Sequence, residues 1–138
     1  MIISKSISVK TRGHSDIINI TPDVEEQLAS SAVSNGTVTL FIAGSTAGLS
    51  TIEYEPGLVS DFQAMWSRNV PEDISYEHNR RWGDGNGYSH VRASLLGPSL
   101  VVPFISKRLT LGTWQQIVVI DFDNRPRTRQ IILQIMGE

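Results

Sequence analysis

Residues 111–136, LGTWQQIVVIDFDNRPRTRQIILQIM, decide the class of fold. Two runs rich in β-branched and apolar residues, Trp114 to Phe122 and Thr128 to Met136, are separated by the turn-rich segment Asn124 to Pro126, and each predicts a strand. Upstream, His90 to Leu96 and Leu100 to Phe104 read the same way, punctuated by Gly97-Pro98 and Gly112. Further back, Thr37 to Ala43 alternates β-branched and apolar residues, and the small-residue stretch GSTAG (44–48) leads into LSTIEY (49–54), so a strand pair is expected there. The opening ISKSISV (3–9) alternates as a half-buried strand does, and a further strand, Asp16 to Ile20, follows a turn at Gly13.

Two segments carry helical signals instead. Thr21 is placed to cap a helix with Pro22 at its first position and Asp23, Glu25 and Glu26 near its start, and Asn35-Gly36 is placed to end it. From Pro56 to Asn69, Leu58, Phe62, Met65 and Trp66 recur at intervals of three and four, which predicts an amphipathic helix closed by Pro71, with Met65 and Trp66 in the core. Short strands with two inserted helices make an antiparallel α+β domain, and 138 residues suit one such domain over 1–138.

Composition narrows the function. Apolar residues make up 40% and charged residues 19%, enough to bury a core. A net charge of −2 offers no basic footprint, so no nucleic-acid partner is expected. No apolar run reaches the roughly 18 residues that span a bilayer, so no membrane association is expected either. The absence of cysteine removes disulfides and thiolate chemistry and fits a reducing, cytoplasmic setting.

The segment EDISYEHNRRWGDGNGYSH (72–90) has few aliphatic residues and many Gly, Asn and Asp, and it reads as one long functional loop. Two of the three histidines, His78 and His90, flank its glycines, which let the chain fold back and bring the rings together. His14, in a turn, reads as a surface residue. Gly44-Ser45-Thr46-Ala47-Gly48 offers hydroxyls and backbone N–H groups suited to an anion. Glu53 and Glu55, two apart in an extended reading, share a face, where repulsion favours one as an acid/base. RPRTR (125–129) is dense enough to bind phosphate, although a turn into a terminal strand more often carries solvated charge.

With Glu53, Tyr76, His78, Asn86 and His90 in place, the blocks SLLGPSLVVP (94–103) and LGTWQ (111–115) make the chain resemble the YjbQ-like family over nearly its whole length. That resemblance implies an antiparallel α+β sandwich and a homotrimer. It also implies an activity sometimes attached to the family, secondary thiamine-phosphate synthase, in which a pyrimidine pyrophosphate joins a thiazole phosphate with loss of pyrophosphate. Matching positions are Glu53, Tyr76, His78, Asn86, His90, Arg92, Thr113, Trp114 and Gln115. Many members begin the small-residue stretch with histidine (HTSA), where this chain has Gly44.

The expected site therefore has Glu53 as base and His78 and His90 as proton-transfer groups or ligands of a divalent metal, zinc or magnesium. Ser45, Thr46, Asn86, Arg92, Thr113 and Gln115 are expected to bind a phosphorylated small molecule. The alternative is a non-catalytic trimer that binds a metal or a small molecule. Trp114 is expected in the core, with Gly112 permitting a tight backbone beside it.

Overall fold

In the computed structural model, which describes residues 1–138, the chain runs β1 (Ile2–Thr11), β2 (Asp16–Asn19), α1 (Thr21–Ala29), β3 (Gly36–Ile42), β4 (Ala47–Glu53), α2 (Pro56–Asn69), α3 (Glu77–Trp82), α4 (Gly87–Leu96), β5 (Ser99–Ile105), β6 (Arg108–Leu109), β7 (Gln115–Asp121) and β8 (Arg127–Gly137). One antiparallel sheet has the order β1-β8-β3-β5-β6 and a second the order β2-β7-β4.

β7 explains the layering. Its apolar run is buried on both faces: Ile117 and Val119 meet Ile131, Leu133 and Ile135 of β8 in the core between the sheets. Val118 and Ile120, with Phe122 just beyond the strand, pack against Trp66 of α2 and Tyr88 and Ala93 of α4. The result is sheet on sheet with helices over the smaller sheet, an α+β sandwich as expected. α1 adds Val24 and Leu28 to the inter-sheet core.

Several local expectations need correction. His90 to Leu96 is helical, part of α4, because Tyr88, Ser89, Arg92 and Ala93 fall on one buried helical face. The segment from Tyr76 to His90 is not one irregular loop but two short helices joined by residues 83–86, so the chain has four helices and not two. Gly83, with φ +72°, ends α3 in the left-handed conformation that glycine adopts without strain.

Thr21 lies inside α1 and does not cap it; its Oγ1 accepts a hydrogen bond from the Ile117 N–H at 2.7 Å. α1 stops at Ala29, and Gly36 instead opens β3. α2 matches its predicted limits, and Glu55 caps it by accepting from the Gly57 and Leu58 amides, so Glu55 is committed to structure. Trp66 is 5% exposed, as its periodicity required, whereas Trp114 is 73% exposed and is not a core residue. Gly112 has no positive φ, and a Cβ there would meet only ordinary contacts, so no tight backbone demands it.

Candidate functional site

The inward row of β8 reads Arg129, Ile131, Leu133, Ile135, and that of β7 reads Ile117, Val119, Asp121. Both rows therefore end in a charge at the same end of the sandwich. Arg129 donates from Nε to Asp121 Oδ2 at 2.7 Å and from Nη2 to Asp121 Oδ1 at 2.9 Å. Thr11 Oγ1 donates to Asp121 Oδ2 at 2.5 Å. Arg129 Nη2 also donates to Thr46 Oγ1 at 2.6 Å, and Thr46 Oγ1 donates onward to Asp123 Oδ2 at 3.0 Å.

Asp123 further accepts from Asn86 Nδ2, the Asn124 N–H and Arg127 Nε. Burial pushes its carboxyl upward, but these hydrogen bonds to the charged form win and hold it down at about 2. It is an anion at all ordinary pH values.

Beside this network lie the two imidazoles. α3 presents His78 and α4 presents His90, with ring centroids 4.3 Å apart and planes tilted by 38°. The connecting turn folds back as the glycines predicted, with Gly83 and Gly85 both at positive φ, and Asn124 Nδ2 ties it down by donating to the Asp84 carbonyl at 2.9 Å. Asp84 Oδ1 stands 3.6 Å from His78 Nδ1. The His90 pKa is lowered, first by burial and then by the neighbouring His78, while Asp123 and Asp84 oppose the shift. His90 is thus a neutral base at pH 7. His78 Nδ1 and Asn86 Oδ1 are both buried without a hydrogen-bond partner.

The other expected site residues divide sharply. Ser45 is exposed beside Thr46, and Thr46 and Asn86 belong to the network. Arg92 is 2% exposed: it donates from Nε and Nη2 to the Val70 carbonyl and from Nη1 to Ser15 Oγ, and it lies over the Tyr88 ring at 4.9 Å. Its guanidinium is committed to the interior and presents no open edge to an anion.

Glu53, Thr113 and Gln115 lie elsewhere. In the β4–β7 ladder Ala47 pairs with Asp121 and Glu53 with Gln115, so Glu53 is at the far end, about 20 Å from Ala47 at roughly 3.3 Å per residue. Gln115 holds its own turn, accepting from the Gly112 N–H and donating to Thr51 Oγ1 at 3.0 Å each. Glu53, Thr113 and the exposed Trp114 line a separate cleft with Asn19 and Tyr54. Within one chain, Glu53 does not reach the imidazoles.

Asp121, Asp123, Arg127 and Arg129 form the charged centre of the site, although residue type alone does not single them out. Two aspartates two apart, DFD (121–123), at the end of a run buried on both faces cannot all be solvated. Arginines two apart at the start of β8, the strand of the other sheet that faces this run across the core, were the complementary signal.

A two-sheet α+β protein with a paired-imidazole site beside a buried Asp–Arg network is the class these features define. A family model described as UPF0047 protein YjbQ-like matches residues 5–138. A UPF0047 protein of Methanothermobacter thermautotrophicus is 37% identical over 137 residues, covering 99% of this chain and 94% of its own. Another, from Archaeoglobus fulgidus, is 38% identical over 130 residues, covering 94% and 98%. The crystal structure of a YbjQ-like protein of unknown function from Sulfolobus solfataricus superposes with a TM-score of 0.90 at 28% identity, over 100% of both chains. The chain belongs to the UPF0047 YjbQ-like family.

Proposed function

We propose that the protein acts on a phosphorylated small molecule, with His78 and His90 as its proton-transfer groups. The observation that carries this reading is the ring-to-ring pairing at 4.3 Å, with His90 kept neutral beside a buried, fully charged polar network. A neutral imidazole accepts a proton at pH 7, and a second imidazole with a carboxylate at 3.6 Å can return one, so the pair supplies a base and an acid within one site. Arg127 and Arg129, already neutralised by Asp123 and Asp121, fix the geometry of the site without lending it net positive charge.

The specific transfer that the family resemblance implies, joining a pyrimidine pyrophosphate to a thiazole phosphate, is the first reaction to assay. Glu53 is not the base in this reading, because the fold places it at the far end of β4.

A second reading, binding of a divalent cation, is favoured by the partnerless His78 Nδ1 and Asn86 Oδ1. Two imidazoles are fewer than the three protein ligands that zinc usually takes, and no group of three or more His, Asp or Glu converges here. Water or substrate would have to complete any shell, and no catalytic step is assigned to a metal.

The test is turnover of phosphomonoesters and pyrophosphates by wild type, His78→Ala and His90→Ala, with and without added zinc or magnesium. Loss of about 10²- to 10⁴-fold in His90→Ala supports a proton-transfer role. Unchanged turnover in both variants would contradict it.

A further inference from the structure

Arg129 has one edge that the network does not use. Nε and Nη2 make its three hydrogen bonds, to Asp121 and Thr46, while Nη1 has no partner in the chain. The covering position is Gly44, at φ +120°, where an added Cβ would lie 2.8 Å from Nη1. Any side chain here would close over the guanidinium; glycine leaves it open. The N–H groups of Gly44, Ser45 and Thr46 likewise make no hydrogen bond within the chain. A cavity of about 260 Å³ opens beside them, lined by Gly44, Ser45, Ala47, Ala93, Ser94 and Pro98, with no carboxylate in its wall.

We infer that the open edge of Arg129 and the amides of Gly44, Ser45 and Thr46 form a phosphate subsite, which holds a phosphomonoester whose remainder reaches the imidazole pair. Successive backbone N–H groups and a guanidinium edge are the donors that phosphate oxygens accept from. The carboxylates nearby do not repel the ligand strongly, because Arg129 holds Asp121 through its other edge and Arg127 holds Asp123. The distance also suits a small molecule: Ser94 in the cavity wall is one helical turn beyond His90, and its hydroxyl donates to the His90 carbonyl at 2.7 Å. Gly44 is therefore a specificity-determining position, and the anion contact expected of Arg92 passes to Arg129.

This inference deepens the acid–base reading and rests on it only for the part of the substrate beyond the phosphate. The test is a titration of the full-length, ¹⁵N-labelled protein with inorganic phosphate at pH 7.5, following the Gly44, Ser45 and Thr46 amides and Arg129 Nε. Saturable shifts at these four positions are expected, with at least tenfold weaker binding in Gly44→Ala and binding within threefold of wild type in His90→Ala. Absence of shifts at the four positions overturns the subsite, and so does unchanged affinity in a folded Gly44→Ala. If that variant does not fold, the wild-type titration alone decides. Loss of turnover in His90→Ala without phosphate shifts at Gly44 would sink the subsite and leave the imidazole pair standing.

Discussion

Arg129 grips both oxygens of Asp121, at 2.7 and 2.9 Å, inside the end of the sandwich, where Asp121 is fully buried and Arg129 keeps only its unused edge towards the surface. The pair is a bidentate, charge-assisted contact, and breaking it leaves a charge with no compensation. Arg129→Met is expected to destabilise the fold by about 3–5 kcal/mol, the range for removing one partner of a buried pair. Adding Asp121→Leu to that variant is expected to recover much of the loss. Urea denaturation at one protein concentration measures both, and a single variant as stable as wild type would show that the end of the sandwich is wet.

Acidification is expected to weaken the fold in two windows. The folded-state pKa of His90 lies below its ordinary value of about 6.5, so its contribution is complete above that pH and is lost as pH falls through the lowered value. Asp123, held at about 2 against an ordinary 3.8, contributes fully above about pH 4 and loses its contribution towards pH 2. Both signs agree. Thermal melts from pH 8 to pH 2 on wild type and His90→Gln separate them: the upper window should vanish in the variant and the lower one should remain.

Trp66 and Trp114 should part company. Trp66, packed against Phe122 at 4.9 Å and Phe62 at 5.8 Å, is expected to cost about 3–5 kcal/mol when replaced by alanine. Trp114, with its indole exposed, is expected to shift stability by less than about 1 kcal/mol in the isolated chain. Chemical denaturation of Trp66→Ala and Trp114→Ala measures the contrast.

A homotrimer is the expected assembly. The outer face of the larger sheet carries Phe41, Val101, Ile105, Ile132 and Met136, all exposed, and apolar surface of this kind on a sheet calls for a partner. Light scattering at micromolar concentration should return about three times 15.3 kDa; the mass of a single chain would contradict the expectation.

β1 and α2 were legible because their periods are pure: alternation in Ile3 to Val9, intervals of three and four from Leu58 to Trp66. The strand pair expected on either side of GSTAG was not, since β3 and β4 belong to different sheets. α4 was not, because HVRASLL is a short apolar run, and its helical face appears only once Phe122 and Trp66 cover it. The same tertiary covering decides the charges. Arg127 and Arg129 look solvated in a turn-to-strand segment, and only the register Val9 with Arg129 and Ala47 with Asp121 buries the second of them. The histidine pairing was legible from the glycines between the rings. The exclusion of Glu53 was not, since position along a strand is set by pairing and not by residue type.

The central claim is that His78 and His90 work as one coupled acid–base unit. The direct measurement is the pH titration of both imidazoles by long-range ¹H–¹⁵N correlation, in wild type and in His78→Gln. The account predicts that His90 titrates below 6.5 in wild type and moves upward when His78 is replaced, since one of the two influences lowering it is removed. A His90 that titrates at or above 6.5 and does not move in His78→Gln would contradict it.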